Sequence, residues 1–230
     1  KHVITLKFIL YCFEMLSGLR INFEKSAVMV LNDSCNVESL VANTLNCHTM
    51  KFPFDYLGFK IRPSKLKKDD WIIIIDKINI RLSSWNNRFL SRAGRLVLVN
   101  SVLSAIPTYW MTVHRFPKWV IKKIDRIRRN FLWNGDLNCS SYKCLVNWEL
   151  CCKSKSDGGL GIINLFNFNS SLLTKWLWKF RSANIVATWK NLVTKFYYSR
   201  GEFLVGSGVS WSNRLSYFWK AVLNCFDFFK

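Results

Sequence analysis

Pro117-Lys-Trp-Val-Ile-Lys-Lys-Ile-Asp-Arg-Ile-Arg-Arg-Asn-Phe-Leu-Trp133 is the stretch that decides what this chain can be. At about 100° per residue, Val120, Ile124, Ile127 and Phe131 fall on one side of a helix. Lys118, Lys122, Arg126 and Arg129 fall within an opposite stripe about 80° wide. Pro117 suits the opening turn, where its missing N–H costs nothing. One face is built to pack and the other is a row of cations. Laid along a phosphate backbone, such a row displaces counterions and binds without reading sequence. The plain alternative is a solvated outer face.

The helical period begins earlier, near residue 70. Trp71, Ile74, Ile75, Ile78, Leu82 and Trp85 recur at helical spacing, with Asp69 or Asp70 as N-cap. Ser91 can cap a second helix that runs through Arg95, Leu98 and Val102 towards Ile106, where Pro107 stops it. Before this region the pattern is mixed. Leu6, Ile9, Leu10, Phe13 and Leu16 make one helical stripe over 3–17, and Gly18 is the expected stop. Leu19, Ile21 and Phe23 alternate with polar residues, Ala27 to Leu31 is β-rich, and Tyr56 to Ile61, closed by Pro63, gives another strand signal. Residues 43–50 show no clear pattern. Beyond Trp133, residues 134–168 are loop-rich, Asn169 to Arg181 predicts an amphipathic helix, and 182–230 has no clear period. The fold class expected is α+β: a small antiparallel strand region, then a mostly helical one.

With 50% hydrophobic residues over 230 positions, the chain can bury a core and is not expected to be disordered. It carries 34 Lys and Arg against 14 Asp and Glu, for a net charge of +20, which points to a polyanionic partner. The charge is uneven: residues 61–130 hold sixteen basic and four acidic residues, net +12, whereas 1–60 are net +1 and 131–230 net +7. The longest aliphatic run, Ile72 to Ile75, is far short of the roughly 20 residues that span a bilayer, so no membrane partner is expected. Eight irregularly spaced cysteines without a signal peptide read as reduced thiols, and hence as an intracellular protein of nucleus or cytoplasm. Most of the 11 Trp read as core, Trp71, Trp85, Trp133 and Trp176 among them; an exposed Trp would offer a face for base stacking.

Catalytic constellations are scarce. Two-metal chemistry needs paired carboxylates, and the only adjacent pair, Asp69-Asp70, sits between lysines and a helix, where capping explains it. Cys139, Cys144, Cys151 and Cys152 cluster loosely, but no CxxC occurs and His2, His48 and His114 lie far off in sequence, so no metal site is expected. Gly158-Gly-Leu-Gly161 lacks the spacing of a phosphate loop, and no nucleophile stands beside a base.

Several strings, in order, resemble plant LINE-type (non-LTR) retrotransposon reverse transcriptases. Gly18-Leu-Arg-Ile-Asn-Phe-Glu-Lys-Ser26 resembles the palm segment after the catalytic aspartates, and Tyr56-Leu-Gly-Phe-Lys-Ile61 the primer grip. Leu90-Ser-Arg-Ala-Gly-Arg-Leu-Val-Leu-Val-Asn-Ser-Val-Leu-Ser-Ala-Ile-Pro-Thr-Tyr109 is similar to the family's most recognisable signature. Phe131-Leu-Trp-Asn-Gly135, Val146-Asn-Trp148 and Gly158-Gly-Leu-Gly161 continue the pattern, so that the resemblance covers roughly residues 3–181.

The resemblance implies three regions: 1–66, the end of a palm with its primer grip; 67–133, a helical thumb; and 134–230, a loop-rich and helical segment ending before any zinc-binding or ribonuclease H domain. It implies that Lys25 helps to protonate the leaving pyrophosphate, with an exposed loop lysine as the other reading. Tyr56, Leu57 and Gly58 would hold the primer terminus, and the glycine would allow close backbone approach. Arg92 and Arg95, with Lys118, Lys122, Arg126 and Arg129, would track an RNA template and an RNA–DNA or DNA duplex. The family's Phe/Tyr-x-Asp-Asp motif, with the Mg²⁺ it binds, belongs upstream of Lys1 with the fingers and most of the palm. The chain is therefore expected to need no cofactor of its own and to be inactive as a polymerase alone. The competing expectation is a non-enzymatic helical module that binds RNA, DNA or other protein chains.

Overall fold

A computed structural model describes residues 2–30, 37–56, 58–85, 90–135, 146–182, 187–197 and 215–225. They belong to two compact units, Lys1–Ser64 and Lys65–Lys230.

The first unit opens with α1 (His2–Ser17). Gly18 ends it at φ +70°, where its N–H donates to the Glu14 carbonyl at 3.0 Å. The strand expected over 19–23 does not form. Asn22 accepts the Lys25 N–H at 2.9 Å and turns the chain into a 3₁₀ helix (Phe23–Lys25), since an Asn side chain offers the backbone a local partner in place of a ladder. Strand β1 (Ala27–Val28) is followed by α2 (Val37–Leu45) and β2 (His48–Thr49), so the patternless segment 43–50 contains a helix end and a strand. β1 and β2 pair in parallel, Ala27 with His48 and Val28 with Thr49. This corrects the expectation of a purely antiparallel region: with a helix between them, two strands can return in the same direction. The predicted end of the first run, Leu31, lies outside the described residues. Strands β3 (Phe54–Tyr56) and β4 (Phe59–Ile61) pair antiparallel, Tyr56 opposite Phe59. The single strand signal over 56–61 is thus a turn and one arm of a hairpin. Gly58 has φ +81°, which a tight hairpin turn requires.

In the second unit, α3 (Lys68–Ser83) buries Trp71, Ile74, Ile75, Ile78 and Leu82 of the predicted stripe, while Trp85 lies beyond its end and is half-buried. Neither aspartate is the N-cap residue: Lys67 holds that position, and the Asp70 carboxylate reaches back to accept its N–H at 2.7 Å. Helix α4 (Arg92–Leu98) starts as expected, with Ser91 Oγ accepting the Gly94 N–H at 3.2 Å. It does not run unbroken to Ile106. Val99–Leu103 widens into a π-helical turn, where the Ser104 N–H and hydroxyl both donate to the Val99 carbonyl, at 3.0 and 2.7 Å. A short α5 (Thr108–Met111) precedes α6 (Lys118–Asn134), which Gly135 ends at φ +73° by donating to the Phe131 carbonyl at 3.0 Å.

After α7 (Trp148–Cys151) comes α8 (Leu165–Arg181). It begins a turn before the expected Asn169, because Asn164 is the cap and accepts from Phe166 at 3.0 Å and Asn167 at 3.1 Å. Helices α9 (Thr188–Tyr197) and α10 (Tyr217–Asn224) lie in the stretch without a readable period. Leu173 and Leu177 of α8 join Trp219, Val222 and Leu223 of α10 in one buried cluster, with Trp189 of α9 against it. α8 is hydrogen-bonded to the segment before α6, and both belong to the second unit.

Candidate nucleic-acid interface

Packing fixes which side of α6 faces water. Val120, Ile121, Ile124, Phe131 and Leu132 are buried, while Lys118, Lys122, Lys123 and Arg126 are exposed and Arg129 is half-buried. The four cations singled out in sequence therefore share one face, joined by Lys123 and by Trp119, which is 38% exposed. Ile127, expected in the core, is only half-buried.

Asp125, the one acid of α6, would oppose this row if its charge were free. Instead it binds Arg128 Nη1 at 2.7 Å. Arg128 is fully buried; its Nη2 donates to Ser104 Oγ and to the Ile163 carbonyl, both at 2.9 Å. Its guanidinium also lies 5.5 Å from the Trp148 ring centroid. Burial pushes the Arg128 guanidinium below its ordinary value and the Asp125 carboxyl above its own, while each partner's charge opposes the shift of the other. Sequence reading missed Arg128, which looks like one more cation in a basic run. The wheel places 128 beside 121 and 124 on the apolar side, but the groups that receive it there come from other segments.

Arg95 is half-buried and lies against the C-terminal end of α6. Its Nη1 stands 3.5 Å from the Trp133 carbonyl, and its guanidinium packs so closely over Gly135 that a Cβ there would fall 2.5 Å from Cζ. A cation at a helix C-terminus is also favoured by the helix dipole. Arg92 is exposed on α4. The remaining predicted residues belong to the first unit: Lys25 is exposed at the end of the 3₁₀ helix, Tyr56 is exposed, and Gly58 tops the hairpin with open space around it. Leu57 lies outside the described residues, as do Cys139 and Cys144 of the cysteine cluster. Burial pushes the Cys152 thiol up to about 11, so that it stays protonated at neutral pH. Among the described residues no group of three or more His, Cys, Asp and Glu stands together, and no helix is long and apolar enough to cross a membrane.

Two side chains of α8 hold the approach to α6. Asn169 makes three hydrogen bonds to the backbone of residues 111–116, and Trp176 Nε1 donates to the Thr112 carbonyl at 2.8 Å. His114 sits in that loop beside Trp71 and Trp110, at 6.1 and 5.8 Å between ring centroids. Burial lowers its pKa from 6.5 to about 4.

The sequence has relatives in a flowering plant. Over 115 residues, half of this chain, it is 33% identical to the "Putative ribonuclease H protein At1g65750" of Arabidopsis thaliana, of whose length it spans only 18%. Over 125 residues, 52% of this chain and 75% of the relative, it is 32% identical to the "Uncharacterized mitochondrial protein AtMg00310" of the same plant. The chain belongs to the family of that mitochondrial protein. No family model matches it. No solved structure matches it either.

Proposed function

We propose that this chain binds nucleic acid along the outer face of α6, as the template–primer-gripping part of a plant LINE-type retrotransposon reverse transcriptase. The observation that carries the reading is the row of Lys118, Lys122, Lys123 and Arg126 on one solvent-facing side, with the only acid of the helix bound to Arg128. A row of exposed cations can replace condensed counterions on a phosphate backbone. The relative named as a ribonuclease H protein is in keeping with a retroelement setting. The partners on this reading are an RNA template and its RNA–DNA or DNA duplex. Mg²⁺ belongs to the aspartates of the whole polymerase. Polymerisation by this chain alone is not expected, because it has one adjacent carboxylate pair and Asp70 of that pair caps α3.

Fluorescence anisotropy with a labelled template–primer duplex, repeated from low to high salt, tests the reading. The expected result is an affinity that falls linearly with the logarithm of salt. Binding without such a slope removes the proposal, and nucleotide incorporation by the purified chain removes its second part.

A second reading has its own observation. Helix α1 exposes Ile4, Phe8, Ile9, Met15 and Leu16, each more than half accessible, and Ala42 is the only buried hydrophobic residue among those described in the first unit. An uncovered apolar helix of this kind marks association with protein, as in a non-enzymatic interaction module. Concentration-dependent sedimentation that L16E or F8E abolishes would support that reading.

A further inference from the structure

We infer that the outer face of α8 is a second nucleic-acid contact, one that takes an unpaired strand by stacking a base on Trp178; the inference rests on the nucleic-acid reading above. The exposed residues of α8 are Asn167, Ser171, Lys175, Trp178 and Arg181, spaced four, four, three and three apart, and so form one stripe. Trp178 is 75% exposed, which is unusual for the largest apolar side chain. Nearby Trp176 shows the ordinary fate: it is half-buried, hydrogen-bonded to Thr112 and covered by Lys179 Nζ at 5.6 Å.

What surrounds Trp178 selects the partner. Lys175 lies one turn before it and Arg181 one turn after, each about 4.5 Å away along the axis, and α8 contains no Asp or Glu. An aromatic face bracketed by cations suits a base with a phosphate on either side. A protein-docking stripe would continue with apolar residues at the same spacing, and a membrane-seeking helix would carry a whole apolar face. Here every other exposed position on α8 is polar or basic. A paired base offers no free face, so the site favours single strands over duplex.

The test measures anisotropy of the full chain with single-stranded RNA and DNA 12-mers, an abasic strand of equal length and a blunt duplex. W178A is expected to weaken single-strand binding about tenfold, with duplex and abasic binding unchanged and W178F close to wild type. K175A is expected to lower the single-strand salt slope by about one. Circular dichroism melting of each variant confirms its fold. Equal single-strand affinity of W178A and wild type overturns this inference while leaving the α6 reading intact. Loss of all nucleic-acid binding in the wild type overturns both. W178A-sensitive binding to anionic phosphatidylserine vesicles, with no strand preference, overturns it in favour of a membrane surface.

Discussion

Asn169 Oδ1 accepts the backbone N–H of Phe116 at 2.9 Å, two residues before the cationic helix begins. The same carboxamide donates from Nδ2 to the carbonyls of Met111 at 2.8 Å and His114 at 2.9 Å. One buried side chain of α8 thus replaces water for three backbone groups of the loop that aims α6. No residue without both a donor and an acceptor can do this.

Asn169→Ala should therefore destabilise the fold by on the order of 3 kcal/mol, because buried backbone groups lose their partners. Asn167→Ala, on the exposed stripe of the same helix, should change stability by less than about 0.5 kcal/mol. Urea denaturation of the two variants makes the comparison. Equal effects would show that the carboxamide does not hold the loop.

Arg128→Met should cost about 3 kcal/mol or more, since it leaves Asp125 without its partner in a partly closed site. Asp125→Ala/Arg128→Met should recover part of that loss, because burial acts against both charges. The measurement is the denaturation midpoint of the single and double variants. A double variant no more stable than the single one would mean that shape, not charge, is at stake.

His114 makes stability depend on pH. Its folded pKa is about 4 against 6.5 unfolded, so between those values the unfolded chain binds the proton that the folded one refuses. Stability is then unaffected above about pH 6.5 and lost progressively as pH falls towards 4. His114→Phe should flatten that part of the urea-midpoint profile. An unchanged slope would assign the effect to other groups.

Gly135→Ala should destabilise twice over, through the left-handed φ of +73° and through the contact with Arg95. In an Arg95→Ala background the second cost disappears and about 1 kcal/mol of backbone strain remains. A double-mutant cycle by thermal or chemical unfolding separates the two. Additive effects would deny the contact.

On α6, Lys122→Ala and Arg126→Ala should each reduce the salt slope of duplex binding by about one. Affinity should fall alike for every duplex sequence tested. A sequence-dependent loss would mean that these residues read bases rather than phosphates.

The sequence by itself determined the helical period of α3 and α6, the stop of α1 at Gly18, the Ser91 cap of α4 and the common face of Lys118, Lys122, Arg126 and Arg129. Those properties are local: 3.6-residue geometry, glycines at Gly18 and Gly135, and the Ser91 cap answer to neighbours a few positions away. Only the tertiary structure decided which nearby cation is structural. Ile127 and Arg128 are adjacent in sequence, yet the isoleucine is half-buried and the arginine fully so. The choice belongs to Ser104, Ile163 and Trp148, which come from three other segments to receive the guanidinium. The parallel pairing of β1 with β2 and the exposure of Trp178 have the same origin. Periodicity shows that a face is apolar or polar, but what comes to lie against it depends on residues tens of positions away, and no local pattern encodes that.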